Sequence, residues 1–136
     1  LASPHPVGVR PDGHPALGLA REHLGLAYLW GGVTPAGLDC SGLVLHTWRR
    51  LGVIVARDAY AQAASSIPVP THRVRAGDLY FFAHEGRRIH HVGIVVEPGW
   101  MLHASETGRF VVEEQLPEDR LRTLVSAGRL PLPLNI

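Results

Sequence analysis

Cys40, the only cysteine in the chain, stands between Asp39 and Ser41 at the head of GLDCSGLVLHTWRRLG (37–52). Val44, Trp48 and Leu51 recur there at helical spacing, Asp39 suits the N-cap, and Gly52 suits the residue just past the helix end. In a first helical turn, unpaired N–H groups and the positive end of the dipole favour a thiolate. The carboxylate of Asp39 opposes a second negative charge beside it. A nucleophilic cysteine at this position therefore needs an imidazole partner. The competing reading is a small buried hydrophobe, and the polar flanks of Cys40 argue against it.

Nine histidines could supply that partner. His5, His14 and His72 lie in Pro-rich or irregular stretches, His23 and His46 on helical stretches, and His84 at a loop entrance. His90, His91 and His103 fall on strand-like runs, which are rigid platforms for a base. Alternation along a strand lets only one of His90 and His91 face the core side. A base also needs a group that orients it. Asparagine serves in some thiol proteases, but the only asparagine is Asn135, near the C-terminal end. His103 is the best-placed polar residue for that task.

The elements that must carry these groups read as helices first and strands afterwards. Residues 1–15 are dense in Pro and Gly and read as an extended arm or linker, leaving 16–136 as one domain. ALGLAREHLGLAYLW (16–30) has helical spacing at Leu17, Ala20, Leu24 and Ala27 or Tyr28, and GGVTPAGLD (31–39) breaks it. RDAYAQAASS (57–66) is a short Ala-rich helix, and IPVPTHRVRAGD (67–78) is irregular and turn-rich. DLYFFA (78–83), HHVGIVVE (90–97), WMLHAS (100–105) and RFVVEEQ (109–115) are strand-like, and LVSAGRL (124–130) adds another. This order predicts an α+β fold, with N-terminal helices packed on a C-terminal antiparallel sheet. A net charge of +1 supplies no field for a polyanion, and there is neither a basic run with interleaved aromatics nor a phosphate-binding glycine loop. No apolar stretch is long enough to cross a bilayer.

Five segments in one order carry a family resemblance: Y-L-W-G-G (28–32), D-C-S-G-L-V (39–44), A-G-D-L-Y-F-F (76–82), H-V-G-I-V-V (91–96) and M-L-H-A-S (101–105). Together, over roughly residues 15–115, they resemble the NlpC superfamily of papain-like bacterial cell-wall cysteine peptidases. The resemblance implies a papain-like fold with Cys40 as nucleophile, His91 as base and His103 as the residue that orients His91. It implies hydrolysis of peptidoglycan stem peptides, most often between γ-D-glutamate and a diamino acid, without metal or organic cofactor. It also implies substrate contacts at Tyr28, Asp39 and Ser41, with Asp39 able to bind a free α-amino group as well as cap the helix. The partners implied are stem peptides, with no nucleic acid, no membrane insertion and an accessory wall-binding domain outside this chain. The implied location is the cell envelope or the exterior, and a cytoplasmic recycling role is also compatible.

The chain departs from the family pattern at two places. Ala56, Arg57 and Asp58 stand where many members have Pro-Arg and a small hydroxyl residue, and His90 stands where a small polar residue is common. Two other functions fit some of the same residues. Cys40, His91 and His103, with His90 in place of one, could ligate zinc in a hydrolase, although no HExxH or CxxC spacing supports it. A non-catalytic wall-binding module of the same fold would have no need of the three together.

Strand counting adds a geometric condition. If Pro98-Gly99 alone formed the loop between the two strands, Ile94 would face His103 and His91 would point to the opposite side. A three-residue loop, or an equivalent bulge, places Gly93 opposite His103 and His91 diagonally on the same face. The sequence therefore predicts such a loop or bulge, Gly99 at positive φ, a ring-to-ring hydrogen bond between His91 and His103, and His90 turned away.

Overall fold

The structure is a computed structural model that describes residues 13–34 and 36–133. Most of the proposed N-terminal arm, residues 1–12, lies outside the described residues. His14 and Pro15 belong instead to the first helix: His14 is its N-cap and Pro15 its first residue. The chain then runs through helix α1 (Pro15–Arg21), the short strands β1 (Val33–Thr34) and β2 (Gly37–Leu38), helices α2 (Cys40–Arg50) and α3 (Ala59–Ser65), and strand β3 (Ile67–Val69). Strands β4 (Leu79–Phe82), β5 (His91–Glu97), β6 (Trp100–Ala104) and β7 (Val111–Gln115), helix α4 (Glu118–Thr123) and strand β8 (Leu124–Arg129) complete it.

Six strands form one antiparallel sheet in the order β3-β8-β4-β5-β6-β7. Alternate side chains of each strand separate onto its two faces. Val92, Ile94, Val96, Leu102 and Ala104 pack against Leu43, Val44 and Trp48 of α2 and against Ala16, Leu17 and Ala20 of α1. Tyr80, Phe82, Val95, Met101 and Ala127 form a smaller cluster on the opposite face. Because both faces are buried, a one-residue slip would exchange their side chains, and this pins the register on which the site depends. The α+β architecture is the expected one.

Several elements differ from expectation: β1 and β2 pair within the stretch read only as a helix break, and α4 adds a helix among the strands. The helix expected over 16–30 stops at Arg21. Gly25 takes φ 87°, its N–H donates to Val111 O, and Val111 N–H returns a bond to Leu26 O. Ala27 and Tyr28 then bridge to Phe110 and Leu38. The sheet edge thus recruits a segment whose spacing alone reads as helix, and Leu24 is left 44% exposed. The stretch expected to be irregular contains strand β3, paired with β8, because β8 offers a free edge to it.

The β5–β6 hairpin meets the geometric condition. Ile94 pairs with Leu102 and Val95 with Met101, the register then shifts before Glu97 pairs with Trp100, and Gly99 has φ 87°. A Pro98-Gly99 loop plus a bulge is the equivalent of an odd loop. Gly93 faces His103, and a Cβ there would press on Met101 Sδ.

Candidate active site

Asp39 caps α2 by accepting from Gly42 N–H at 2.6 Å, which sets Cys40 as the first helical residue. The helix tip meets the start of β5, where the Cys40 thiol donates to His90 O at 3.9 Å. Cys40 is 8% exposed. Burial pushes its pKa up, and the charge of Asp39 adds to this, while backbone hydrogen bonds from Val92 and Ser41 and the charge of Arg120 pull the other way. Burial is the largest of these influences and sets the upward direction.

His91 and His103 share a face of the sheet and join through Nε2 and Nδ1 at 2.7 Å. His103 Nε2 lies 2.7 Å from Glu114 Oε2. This chain assigns the protons. The carboxylate accepts from His103 Nε2–H, so His103 Nδ1 carries a lone pair and accepts from His91 Nε2–H, and His91 Nδ1 keeps the basic lone pair. Glu114 is opposite Met101 and hence diagonal to His103, two residues beyond Val112, which faces His103 directly. The sequence reading missed Glu114, although alternation within RFVVEEQ places Val112 and Glu114 on one face. His90 is exposed and stacks on His84 at 4.4 Å between centroids. It takes no part in the imidazole chain but lines the cleft, so it is not turned fully away.

Burial holds the pKa of His91 well below 6.5, with the charges of Arg120, His103 and His90 adding to it. At neutral pH the thiol and the imidazole both rest uncharged. Burial likewise depresses His14, His23, His46, His90 and His103. Each folded-state pKa lies below the unfolded value, so the unfolded chain takes up protons first as pH falls below about 6.5. The stability these groups contribute is complete above that pH and is lost as pH falls through the folded-state pKa values. The thermal midpoint is expected to drop by several degrees from about pH 7.5 to about pH 5. Differential scanning calorimetry checks this, and a flat or rising midpoint would contradict it.

The residues expected to touch substrate are close together but already engaged. Besides Gly42 N–H, Asp39 accepts from Gly31 N–H at 3.1 Å and from the Arg57 guanidinium at 2.8 and 3.3 Å. Ser41 Oγ accepts from Arg57 at 2.9 Å and donates to Asp39 Oδ1 at 3.4 Å. Gln62 of α3 donates to Ser41 O and Ala56 O and ties that helix to the tip of α2. Tyr28 is half-buried, and burial together with the negative charges around it raises its pKa to about 12, so it stays a hydroxyl donor.

A cleft opens on both sides of Cys40. One arm, about 440 Å³, is lined by Tyr28, Asp39, Ser41, Arg57, Tyr60 and Arg88. The other, about 590 Å³, is lined by His91, Glu106, Asp119, Arg120 and Arg122. Tyr28, Trp30, Cys40 and His90 belong to both, and Trp30 is 82% exposed at the rim. Among the described residues, no three His, Cys, Asp or Glu side chains converge to hold a metal ion. Both ring nitrogens of His103 are engaged in hydrogen bonds, with His91 and with Glu114.

A thiol at a helix tip, set beside an imidazole pair on an antiparallel sheet, defines a papain-like arrangement. The model of the NlpC/P60 family matches residues 25–126, and the chain belongs to that family. It is 46% identical over 90 residues to a gamma-D-glutamyl-L-lysine dipeptidyl-peptidase of Bacillus subtilis, which covers 65% of this chain and 30% of that protein. A crystal structure of an NlpC/P60 family protein from Bacillus cereus superposes with TM-score 0.82 at 30% identity, covering 88% of this chain and 40% of the other. The NlpC/p60 domain of the peptidoglycan hydrolase SagA gives TM-score 0.75 at 25% identity over 85% of this chain and 97% of that one. The chain spans under a third of the length of the curated relatives it matches. No helix among the described residues is long and apolar enough to cross a membrane.

Proposed function

We propose that this domain is a cysteine peptidase of bacterial cell-wall stem peptides that hydrolyses the bond between γ-D-glutamate and a diamino acid. The observation that carries the reading is the hydrogen-bonded relay Glu114–His103–His91, whose His91 lines the same cleft as Cys40. The relatives named for peptidase and peptidoglycan hydrolase activity support the substrate class. An envelope or extracellular location follows from that substrate.

In this mechanism the thiol turns from the His90 carbonyl and gives its proton to His91 Nδ1 as sulfur attacks the γ-carbonyl carbon. Both groups start neutral, so charge is created only in this step. The new imidazolium is stabilised through His103 and Glu114. The oxyanion is held by the Cys40 N–H at the helix tip, where one such donor contributes about 2.7–4 kcal/mol to transition-state stabilisation. Collapse breaks the C–N bond, and His91 protonates the leaving amine. Water then gives a proton to His91 and attacks the thioester, releasing the carboxylate product and restoring the thiol.

Asp39, Tyr28 and Ser41 bind the amine end of the substrate. A free α-amino group at Asp39 must share the carboxylate with Arg57. That sharing is feasible because a carboxylate offers about four acceptor sites.

The test is a mass-spectrometric digest of defined stem peptides. The expected products are a fragment ending in D-glutamate and one beginning with the diamino acid. Cleavage at another bond would revise the specificity, and no cleavage of any stem peptide would refute the function.

A further inference from the structure

The two arms of the cleft are chemically unequal, and the mechanism assigns each a direction. The general acid must stand beside the leaving amine, and His91 lines the 590 Å³ arm but not the 440 Å³ arm. The larger arm therefore receives the leaving residue. Its walls carry two arginines from the short helix α4 and two carboxylates, Glu106 and Asp119.

The two arginines differ in availability. Arg122 pairs with Glu118 at 3.5 Å and is 67% exposed. Arg120 is half-buried, its guanidinium lies 5.8 Å from the centroid of the Phe82 ring, and among the described residues it has no carboxylate partner. An arginine backed by an aromatic ring and lacking an anion is prepared for planar, bidentate carboxylate binding. It lines the same arm of the cleft as Cys40, His90 and His91.

We propose that Arg120 determines specificity on the leaving side by binding a carboxylate of the departing diamino acid, with Glu106 and Asp119 facing that residue's ammonium group. The carboxylate has two sources: a side-chain carboxylate, as in a diaminopimelate-type residue, or the α-carboxylate of a peptide that ends at the leaving residue. The inference rests on the peptidase reading above.

Three synthetic peptides with the same amine-side half test it. The leaving residue is lysine with a C-terminal amide, lysine with a free C-terminal carboxylate, or diaminopimelate bearing only its side-chain carboxylate, the chain end being amidated. Wild-type kcat/KM is expected to favour at least one carboxylate-bearing peptide over the lysine amide by roughly tenfold or more. The peptide favoured identifies the source. Arg120→Gln should bring that ratio close to one, and Arg120→Lys should retain part of it. A merely structural role would lower all three rates together and leave the ratio intact, and that result would overturn the proposal. So would a wild-type protein that treats the three peptides alike. If the wild type cleaves none of them, the peptidase reading fails by itself. Calorimetric titration of the same peptides into Cys40→Ala then decides the inference: tighter binding of a carboxylate-bearing peptide, lost in the Cys40→Ala/Arg120→Gln double variant, upholds it, and equal or absent binding overturns it.

Discussion

Cys40→Ala is expected to abolish stem-peptide hydrolysis, lowering kcat by roughly 10⁴-fold or more, while the thermal midpoint stays within a few degrees of the parent. The substitution removes the one atom that forms the acyl-enzyme. It leaves the Cys40 N–H, the Asp39 cap and the imidazole relay in place. The hydrogen bond of the thiol to His90 O is long, at 3.9 Å, and only one small buried atom is removed, so its loss costs the fold about 1 kcal/mol. Single-turnover assays on a defined stem peptide, with scanning calorimetry on the same sample, measure both halves. An alanine variant within about tenfold of the parent rate would exclude covalent thiol catalysis. The neutral resting pair adds a signature: alkylation of Cys40 in the free protein should accelerate only above the pH at which an ordinary cysteine reacts, because burial raises its pKa.

Gly42→Ala should be the most damaging small substitution. A Cβ at Gly42 would overlap the carbonyl oxygen of Gly32 and come within 2.8 Å of Asp39 Oδ1. That carbonyl also accepts from Asp39 N–H at 3.1 Å, so the clash falls on the contact that seats α2 against the 28–32 segment. The blocking atoms of Gly32 are backbone, and the Asp39 carboxylate is held by its own hydrogen bonds, which leaves little room to yield. Overpacking of this kind costs about 1–3 kcal/mol or more, equivalent to a fall of several degrees in the thermal midpoint. Activity should fall further, because displacing the helix tip moves the nucleophile and the oxyanion donor together. Gly18→Ala is the internal control. Gly18 is exposed within α1 with nothing within 4 Å of the added carbon, and helix propensity there favours Ala by about 1 kcal/mol. If Gly42→Ala melts like Gly18→Ala and keeps its rate, the close approach of α2 to Gly32 has no energetic consequence.

Sequence alone determined whatever depends on local periodicity. Asp39 and Gly52 bracket α2 because cap chemistry and positive φ are properties of single positions. The common face of His91 and His103 follows from alternation along two strands and from the hairpin loop, all within thirteen consecutive residues. Tertiary structure alone decided whatever depends on partners distant in the chain. Gly25 and Leu26 join the sheet edge at Val111 and so cut short a helix that their spacing supports. Arg57 neutralises Asp39 from eighteen residues away, and α4 brings Arg120 to the cleft beside a cysteine eighty residues earlier. The protonation of the site belongs to this second class. Desolvation is a property of the assembled interior: it raises the thiol of Cys40, where a helix tip would favour the thiolate, and it lowers His91.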